Sequence, residues 1–264
     1  MTRFAPALLV GALFFATPVL AQSPFDGTWK GDPKSAALNV KPDSWTIRNG
    51  SYTCTTCLPP FTVPADGKFH KVADKPYWDE IAVATPDAST ATFQFRKAGK
   101  VIGESRRIVS ADGKTLTSMM SNTNNGAGTR IEQKMVQTRV GTPIAGAHRV
   151  SGQWKTDTSA TEVTDNARTL TLKVDQERVK LTSPLGETLD AKFGGDYAPN
   201  VGDPGKTMTK AVLLAPNKMM LTDMQNGKVV QETTYTVARD GRTIEAAWRD
   251  PRDNSSGTFK AYKQ

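Results

Sequence analysis

Two cysteines are the residues of this sequence whose type and spacing are best suited to chemistry. Cys54 and Cys57 form a Cys-X-X-Cys pair, which can serve as a redox centre, half of a zinc site, a haem attachment site or a small structural disulfide. Haem attachment requires a histidine where Leu58 stands, and a zinc site requires further ligands from a chain with two histidines and no other cysteine. A thioredoxin-like pair starts a helix, whereas Pro59 and Pro60 follow here. We predict a structural disulfide, with a thiol-redox role as the alternative.

This disulfide can form only if the chain turns between the two cysteines. In a straight strand, Cα atoms three residues apart are separated by about 10 Å, because each residue advances by about 3.3 Å. A disulfide needs a Cα–Cα distance of about 4.4 to 6.8 Å. Thr55 and Thr56 are therefore predicted to form the middle of a turn.

Aromatic and acidic side chains are adjacent in Tyr77-Trp78-Asp79-Glu80. Tyr77 and Trp78 are therefore candidates for lining the mouth of a ligand cavity, although inward packing at the start of a strand would also explain them. His70 and His148 are interpreted as surface or hydrogen-bonded residues rather than as general bases. The sequence has no Gly-X-Ser-X-Gly, no phosphate-binding glycine loop and no histidine pair at ligand spacing. No catalytic residue, metal site or cofactor is predicted.

A tandem duplication provides the elements that position these residues. Phe25-Asp26-Gly27-Thr28-Trp29-Lys30 returns as Val150-Ser151-Gly152-Gln153-Trp154-Lys155, with the two tryptophans 125 positions apart. Further matched pairs follow in the same order, among them Asp112-Gly113 with Asp240-Gly241. Two domains are therefore predicted, residues 22–139 and 148–264, joined by a small, turn-prone linker at 140–147.

Residues 1–21 have the composition of a signal peptide. A basic start with Arg3 precedes a nearly apolar run, and Val19-Leu20-Ala21 supplies compact residues at a cleavage site. A membrane anchor would need about 20 apolar residues, whereas this run is shorter and contains two prolines. We expect a cleaved signal, a mature chain from about Gln22, and a periplasmic or secreted protein without a transmembrane segment.

The basic charge of the chain bears on its partners. The formal net charge is +8, and cleavage of the signal would remove one basic residue. An exported protein rarely meets nucleic acid and the basic residues are scattered, so solvated strand faces explain the charge better than nucleic-acid binding does. Contact with an anionic envelope surface stays open as a hypothesis, and the sequence does not predict an oligomeric state.

From residue 22 onward the sequence has the signals of antiparallel β-structure. Asn-Gly and Asp-Gly dipeptides recur at 49–50, 66–67, 112–113, 226–227 and 240–241, and they supply the positive φ angles of two-residue hairpins. Apolar and polar residues alternate between them, as in 169–174. The segment 186–207 is rich in Gly, Asp and Pro and is predicted to be a long loop. Because a long meander must close or protect its edges, we predict an all-β protein of two tandem up-and-down barrels.

Each repeat also resembles the start of a known kind of barrel. Gly27-Thr28-Trp29-Lys30 resembles the opening strand of the lipocalin and fatty-acid-binding group, and Gly152-Gln153-Trp154-Lys155 resembles it less fully. The resemblance implies that each tryptophan plugs one end of its barrel, and that a basic residue of the last strand covers its ring. The candidates for this basic residue are Arg130 or Lys134 in the first domain and Lys260 or Lys263 in the second. A small apolar or amphipathic ligand in the barrel interior is implied as well.

The cysteine run carries a second resemblance. Tyr-X-Cys-X-X-Cys-X-Pro-Pro, here residues 52–60, is similar to a run in a set of exported bacterial proteins. That resemblance implies location and fold rather than chemistry, and Val179 and Thr182 replace the cysteines in the second repeat.

Three functional hypotheses follow from these observations. The first is a non-catalytic binder of a small ligand, the second a cell-envelope structural or interaction protein, and the third a hydrolytic or thiol-redox enzyme. A cavity inside a barrel favours the first, an interior filled by side chains the second, and a deep pocket with converging polar groups the third.

Overall fold

The computed structural model describes residues 23–264, which form β-strands and one 3-10 turn, Asp165–Arg168. The first ten strands are β1 (Gly27–Asn39), β2 (Asp43–Arg48), β3 (Ser51–Cys54), β4 (Phe61–Pro64), β5 (Phe69–Lys71), β6 (Glu80–Asp87), β7 (Thr90–Lys97), β8 (Lys100–Val109), β9 (Thr115–Asn122) and β10 (Ile131–Val140). The remaining strands are β11 (Gly152–Val163), β12 (Thr169–Val174), β13 (Arg178–Thr182), β14 (Thr188–Lys192), β15 (Ala198–Pro199), β16 (Met208–Ala215), β17 (Lys218–Gln225), β18 (Lys228–Val237), β19 (Thr243–Asp250) and β20 (Ser255–Lys263).

Alternating side chains and tight turns account for these strands. In β7, Phe93 is buried in the core while the next residue, Gln94, is exposed, as expected for a strand with one face inward. Asn49 and Asn226 both have a φ angle of 50°, the left-handed conformation that a tight hairpin turn requires. The predicted all-β class, with two antiparallel barrels, is confirmed.

The first barrel is built from one continuous stretch of chain. Its strands follow the order β4-β3-β2-β11-β10-β9-β8-β7-β6-β5, and every neighbouring pair is antiparallel. Strands β2 and β11 pair through Trp45 and Gly152, which joins the start of the meander to its end. The two ends of the sheet, β4 and β5, are joined by only four residues, 65–68, so the barrel is nearly closed.

The second barrel needs a strand from the other end of the chain. Its order is β14-β13-β12-β1-β20-β19-β18-β17-β16-β15. Strand β1 lies between β12 and β20, with Trp29 opposite both Leu170 and Lys263. A bridge between Thr188 and Val201 brings the two ends of this sheet close together, so this barrel is nearly closed too.

Strand pairing therefore crosses the boundary between the two sequence repeats. The opening strand of each repeat, β1 or β11, lies in the barrel formed by the later strands of the other repeat. We call β1 and β11 the exchanged strands. They touch each other where the Thr158 hydroxyl donates to the Ala36 carbonyl at 3.0 Å. The ranges 22–139 and 148–264 describe the repeats, whereas the barrels consist of 43–163 and of 27–39 with 169–263.

The two tryptophans are fully buried in equivalent places. Trp29 donates from its indole nitrogen to the Phe25 carbonyl at 2.7 Å, and Trp154 donates to the Val150 carbonyl at 3.0 Å. Phe25 and Val150 are also inaccessible to solvent. Each tryptophan thus satisfies its polar atom four residues back along the chain and places its ring in the core.

The glycine of each Gly-X-Trp motif makes room for the cation that covers the ring. Gly27 has a φ of 135° and Gly152 a φ of 143°, a region that other residues rarely adopt. A Cβ atom on Gly27 would lie 2.7 Å from Cε of Lys263. The Lys263 ammonium lies 5.2 Å from the centre of the Trp29 ring, and the Arg139 guanidinium lies 4.1 Å from that of Trp154.

The cation on each ring differs from most of the predicted candidates. Arg139 covers Trp154, whereas Arg130 pairs with Glu132 at 2.9 Å and Lys134 with Glu162 at 3.3 Å. The prediction of Arg130 or Lys134 is therefore wrong. Lys263 does cover a tryptophan, but it covers the tryptophan of the first repeat because β20 pairs with the exchanged strand β1.

The glycine-rich segment 186–207 contains strands. Thr188–Lys192 pairs with β13, and Ala198–Pro199 pairs with β16, so the prediction of one long loop is wrong. Gly186, Gly194 and Gly202 have positive φ angles in the turns between these short strands, which explains the composition that suggested a loop.

The predicted disulfide between Cys54 and Cys57 is confirmed, with Cα atoms 5.5 Å apart. The chain leaves β3 at Cys54 and turns through Thr55 and Thr56, as the distance argument required. The Thr55 amide donates to the Ser44 carbonyl at 3.0 Å, which fixes the turn against the start of β2.

We expect the loss of this disulfide to weaken the first barrel only modestly. A bond that closes so short a loop restricts the unfolded chain little, which corresponds to about 2 kcal/mol by the loop-entropy relation. Urea unfolding of the oxidised protein and of a Cys54→Ser/Cys57→Ser variant measures the difference. A loss near the whole stability of the barrel would contradict this account.

The predicted signal peptide, residues 1–21, lies outside the described residues. Within residues 23–264, none of the helical structure is long and apolar enough to cross a membrane. The predicted linker region connects β10 to β11 inside the first barrel, where the His148 amide donates to the Ile47 carbonyl at 2.8 Å.

Candidate functional site

A cavity of about 1150 Å³ occupies one end of the second barrel and is bordered by loops of the first. Inward-facing residues of the second barrel line its floor, among them Leu221, Asp223 and Tyr235. Segments 57–59 and 74–78 of the first barrel border it from the other side. Both barrels therefore contribute to one site.

The equivalent space in the first barrel is filled by side chains. From β6 to β9 and from β16 to β19, equivalent residues of the two repeats are 128 positions apart. The strand registers agree, because Ile81 pairs with Phe95 as Thr209 pairs with Asp223. At these inward positions the first and second barrels carry, respectively, Ile81 and Thr209, Phe93 and Leu221, Phe95 and Asp223, and Arg107 and Tyr235.

Aromatic rings pack edge to face where the first barrel lacks the cavity. Ring centres are 5.2 Å apart for Tyr52 and Phe93, 5.4 Å for Trp78 and Phe95, and 5.6 Å for Phe61 and Trp78. Such contacts stabilise a core beyond the area that they bury. Smaller and more polar side chains at the matching positions of the second barrel leave its mouth hollow.

A chain of hydrogen bonds joins two carboxylates in the mouth of the second barrel. The Thr207 hydroxyl donates to Asp203 at 2.5 Å, and the Thr209 hydroxyl donates to Asp223 at 2.5 Å. The side-chain amide of Asn200 donates to both hydroxyl oxygens, at 2.8 and 2.9 Å. The network fixes the position of each carboxylate, so the acidic groups are held in place before any ligand arrives.

Four acidic residues (Asp74, Glu187, Asp203 and Asp223) and three basic ones (Lys75, Lys228 and Arg252) line this mouth. Arg252 pairs with Asp250, and the Lys75 ammonium donates to the Pro59 carbonyl. Burial raises the pKa of Asp223, and the nearby charge of Asp203 raises it further. Burial likewise raises the pKa of Glu187, again with a contribution from Asp203. Both shifts indicate carboxylates with too little positive charge nearby to offset their desolvation.

Two tyrosines lie next to these carboxylates. Burial raises the pKa of Tyr235 to about 12, with a further contribution from the charge of Asp223. The phenol end of Tyr77 packs beside Gly205, and this partial burial, together with the charges of Asp203, Glu187 and Asp223, raises the pKa of Tyr77 to about 12. Both phenols therefore stay neutral, and the Tyr77 phenol hydrogen-bonds to the Asp203 carboxylate.

Apolar side chains form one part of the cavity wall. Leu181, Leu189 and Leu221 line it from the second barrel, with Val230 nearby. A site with aliphatic side chains on one part of its wall and fixed acidic groups on another has the character of an amphipathic binding pocket.

The structure places Tyr77 and Trp78 at this cavity in different roles. Tyr77 is 42% exposed and reaches across to the second barrel, where a Cβ atom on Gly205 would lie 2.5 Å from its ring. Trp78 borders the cavity while its ring packs against Phe61 and Phe95 in the first barrel. Ligand binding by these two residues stays a prediction.

Of the other sequence candidates, Cys57 borders the cavity, whereas His70 and His148 are not part of its lining. Cys57 is bonded to Cys54. His70 contacts Asp66 at 2.8 Å, and His148 contacts the Asp87 carbonyl at 2.7 Å. Within residues 23–264, no group of three acidic, histidine or cysteine side chains is placed to hold a metal ion.

Sequence reasoning missed the acidic residues of the cavity. Asp223 and Thr209 stand in ordinary alternating strands, so local pattern gives no reason to single them out. A signal was present in the duplication, because aligned inward positions carry Phe95 and Ile81 in one repeat and these polar residues in the other. A core position that becomes polar in one copy indicates a site specific to that copy.

A second depression, of about 840 Å³, lies over β7 to β11 of the first barrel. Many of its lining side chains are exposed, and the charged groups there pair with one another, as Lys134 does with Glu162 at 3.3 Å and Arg130 with Glu104 at 3.7 Å. Exposed pairs of this kind are weak and screened by salt, so this surface offers less to a ligand than the cavity does.

No protein-family model matches this chain, and no curated protein matches it significantly. Because a barrel fold by itself serves many functions, the geometry of the cavity is what indicates a function for this chain.

Proposed function

We propose that this protein binds a small amphipathic ligand with a positively charged end in the cavity of the second barrel. The observation that carries the proposal is the contrast between two equivalent barrels. The first is filled by Phe93 and Phe95, whereas the second has Leu221 and Asp223 at the same positions and a cavity above them. A duplicated fold that needed only stability would have no reason to place a carboxylate there, because burying a charge is costly unless something compensates it.

The charge of the lining selects the polar end of the ligand. Asp203, Asp223 and Glu187 form an acidic part of the lining, and an ammonium group there would offset the desolvation cost that raises the pKa of Asp223 and Glu187. The leucine wall would hold an aliphatic or aromatic tail, for which burial is worth about 25 cal/mol per Å² of apolar surface. The first barrel serves as the scaffold that borders the entrance.

We also propose that binding takes place outside the cytoplasm. The predicted signal peptide and the Cys54–Cys57 bond support this location, because disulfides persist in oxidising compartments. Mass spectrometry of organic extracts from protein purified from its native envelope would identify a ligand that co-purifies with it.

A matched series of fluorescent probes tests the proposed ligand class. Dansylcadaverine carries an ammonium group, dansylamide is neutral and dansylglycine carries a carboxylate, on the same apolar fluorophore. We expect dansylcadaverine to bind at least about tenfold more tightly than dansylamide, since a hydrogen bond to a charged group is worth about 1.5 to 3 kcal/mol. Dansylglycine should bind most weakly.

Filling the cavity provides the control. A Leu221→Phe substitution copies the first-barrel residue Phe93 into the second barrel and should reduce binding of all three probes. Val101→Phe, at a position that is 46% exposed on the first barrel, should leave binding unchanged. Probes that bind equally whatever their charge, or that are unaffected by Leu221→Phe, would contradict the proposal.

A further inference from the structure

The loop Asp74–Trp78 of the first barrel, called the entrance loop below, lies at the mouth of the second barrel's cavity. The Tyr77 ring occupies the space next to Gly205. Gly205 stands 128 positions after Tyr77, so the two equivalent loops of the duplication meet at the cavity, and a glycine in one accommodates the aromatic ring of the other. The side-chain amide of Asn124 donates to the Tyr77 carbonyl at 2.6 Å, which holds the tip of the loop from the other side.

A nearly buried lysine anchors the start of the entrance loop. Lys75 is 9% exposed, and its ammonium donates to the Pro59 carbonyl at 2.5 Å. The same ammonium lies 4.9 Å from the centre of the Phe61 ring and 6.0 Å from that of Trp78. Hydrogen bonds from charged donors are stronger than neutral ones, so this contact is the principal polar link between Lys75 and residues 57–59.

The disulfide controls the segment that accepts this bond. Pro59 follows Cys57 by two residues, and Cys57, Leu58 and Pro59 all border the cavity. On the other side of the turn, the Ser44 amide donates to the Thr56 hydroxyl at 2.9 Å. With the disulfide closed, residues 57–59 are tied directly to β3 at Cys54; without it, they are held only at their ends, by the Thr56 contact with Ser44 and by the pairing of Phe61 with Cys54.

We propose that the entrance loop gates the cavity, and that the Cys54–Cys57 disulfide keeps the gate closed through the contact between Lys75 and Pro59. Reduction by a small dithiol or a dithiol protein opens it. The inference rests on the proposed ligand site, which it supplies with a redox-sensitive entrance.

The dithiol is the only reagent that the reduction of the disulfide requires. A thiolate of the dithiol attacks Cys57, the more exposed of the two cysteines, and Cys54 leaves as the thiolate. The second thiol of the reagent then displaces Cys57 and closes the reagent's own disulfide. Two electrons and two protons pass from the dithiol to the protein, which ends with two thiols.

Stopped-flow binding of dansylcadaverine to the full chain tests the gate. Lys75→Met places an unbranched apolar side chain beside the Phe61 and Trp78 rings in place of the ammonium, so the chain should still fold. We expect both rate constants, for association and dissociation, to rise by about tenfold in Lys75→Met and in protein reduced with dithiothreitol, because each loses one charged hydrogen bond. Lys71→Met, at an exposed lysine of β5, should leave both rates unchanged.

Combining the two changes separates a shared gate from two unrelated effects. Reduction of the Lys75→Met protein should add little to either rate constant, since both changes remove the same contact.

Hydrogen exchange gives a readout that needs no probe: amides of residues 73–78 should exchange faster after either change, while those of β9 should not. Unchanged rates and unchanged exchange at 73–78 would overturn the gate. If dansylcadaverine does not bind, the proposed ligand class fails, and the exchange at 73–78 alone decides whether the loop is held by this contact.

Discussion

Replacing Trp29 with alanine is expected to destabilise the second barrel, although Trp29 belongs to the first repeat of the sequence. Its ring is fully buried in a core with Leu172, Val237 and Ile244, all from the second repeat. Loss of a buried tryptophan side chain costs about 3 to 5 kcal/mol, a large share of the roughly 5 to 15 kcal/mol that stabilises a typical domain. Amides of β16 to β19 should therefore lose most of their protection against hydrogen exchange.

Trp154→Ala provides the matched comparison. Trp154 belongs to the second repeat but packs in the core of the first barrel with Trp45, Val83 and Phe93, so its loss should expose the amides of β6 to β9. The pair of variants thus tests the strand exchange directly. If Trp29→Ala weakened β6 to β9 and left β16 to β19 protected, each repeat would fold as its own barrel and the exchange would be wrong.

Local features of the sequence predicted the strands well. Alternation placed a strand at 90–97, and the Asn49-Gly50 and Asn226-Gly227 dipeptides placed hairpins where the structure has them. These features act over a few residues, so they can be recognised without knowing the rest of the fold. The duplication added the number of barrels.

The same local features could not predict which barrel each opening strand joins. The repeats have similar opening strands, so β1 can meet β20 as well as β11 meets β10. The length of β1 and its short connection to β2 decide which barrel β1 joins. Its thirteen residues lead the chain from the second barrel to the first, and only three residues separate its end from the start of β2. The distance that β1 must span is set by the positions of the two barrels, which only the folded structure defines.

Only part of the candidate site could be predicted, because local sequence features do not show which side chains face the cavity. The adjacent aromatic residues Tyr77 and Trp78 were predicted as candidates for lining a cavity mouth, and both border the cavity. Asp223 did not, because one aspartate in an alternating strand looks like a solvent-facing residue. Its inward orientation follows from the register with Thr209 across β16 and β17, which only the folded sheet defines.

Replacing Asp223 with asparagine is expected to raise stability and weaken ligand binding at the same time. Burial raises the pKa of Asp223 above its ordinary value of 3.8, so the ionised side chain destabilises the folded state at neutral pH. Asparagine has the same shape, can still accept the hydrogen bond from Thr209, and carries no charge. We expect a gain of about 0.5 to 2 kcal/mol in the free energy of unfolding, and a loss of about tenfold or more in affinity for dansylcadaverine.

The pH dependence of this variant has a definite sign. Because the folded state holds the Asp223 proton more tightly than the unfolded state, the wild-type protein gains stability from this group as the pH falls from above its folded pKa toward 3.8. The stability advantage of Asp223→Asn should therefore be greatest at neutral pH and vanish in acid. Wild-type affinity for dansylcadaverine should fall over the same interval, because protonation removes the charge that attracts the ammonium group.

A surface aspartate controls for the change in net charge. Asp196 is exposed in the turn between β14 and β15, and Asp196→Asn removes one negative charge far from buried surroundings. It should change neither stability nor probe affinity appreciably, since exposed charges contribute little. If Asp223→Asn destabilised the protein, the carboxylate would serve the fold through its bond with Thr209. If the affinity were unchanged, the positive end of the ligand would not lie at this carboxylate. A gain in stability together with a loss of binding is expected where a residue serves the ligand at the expense of the fold.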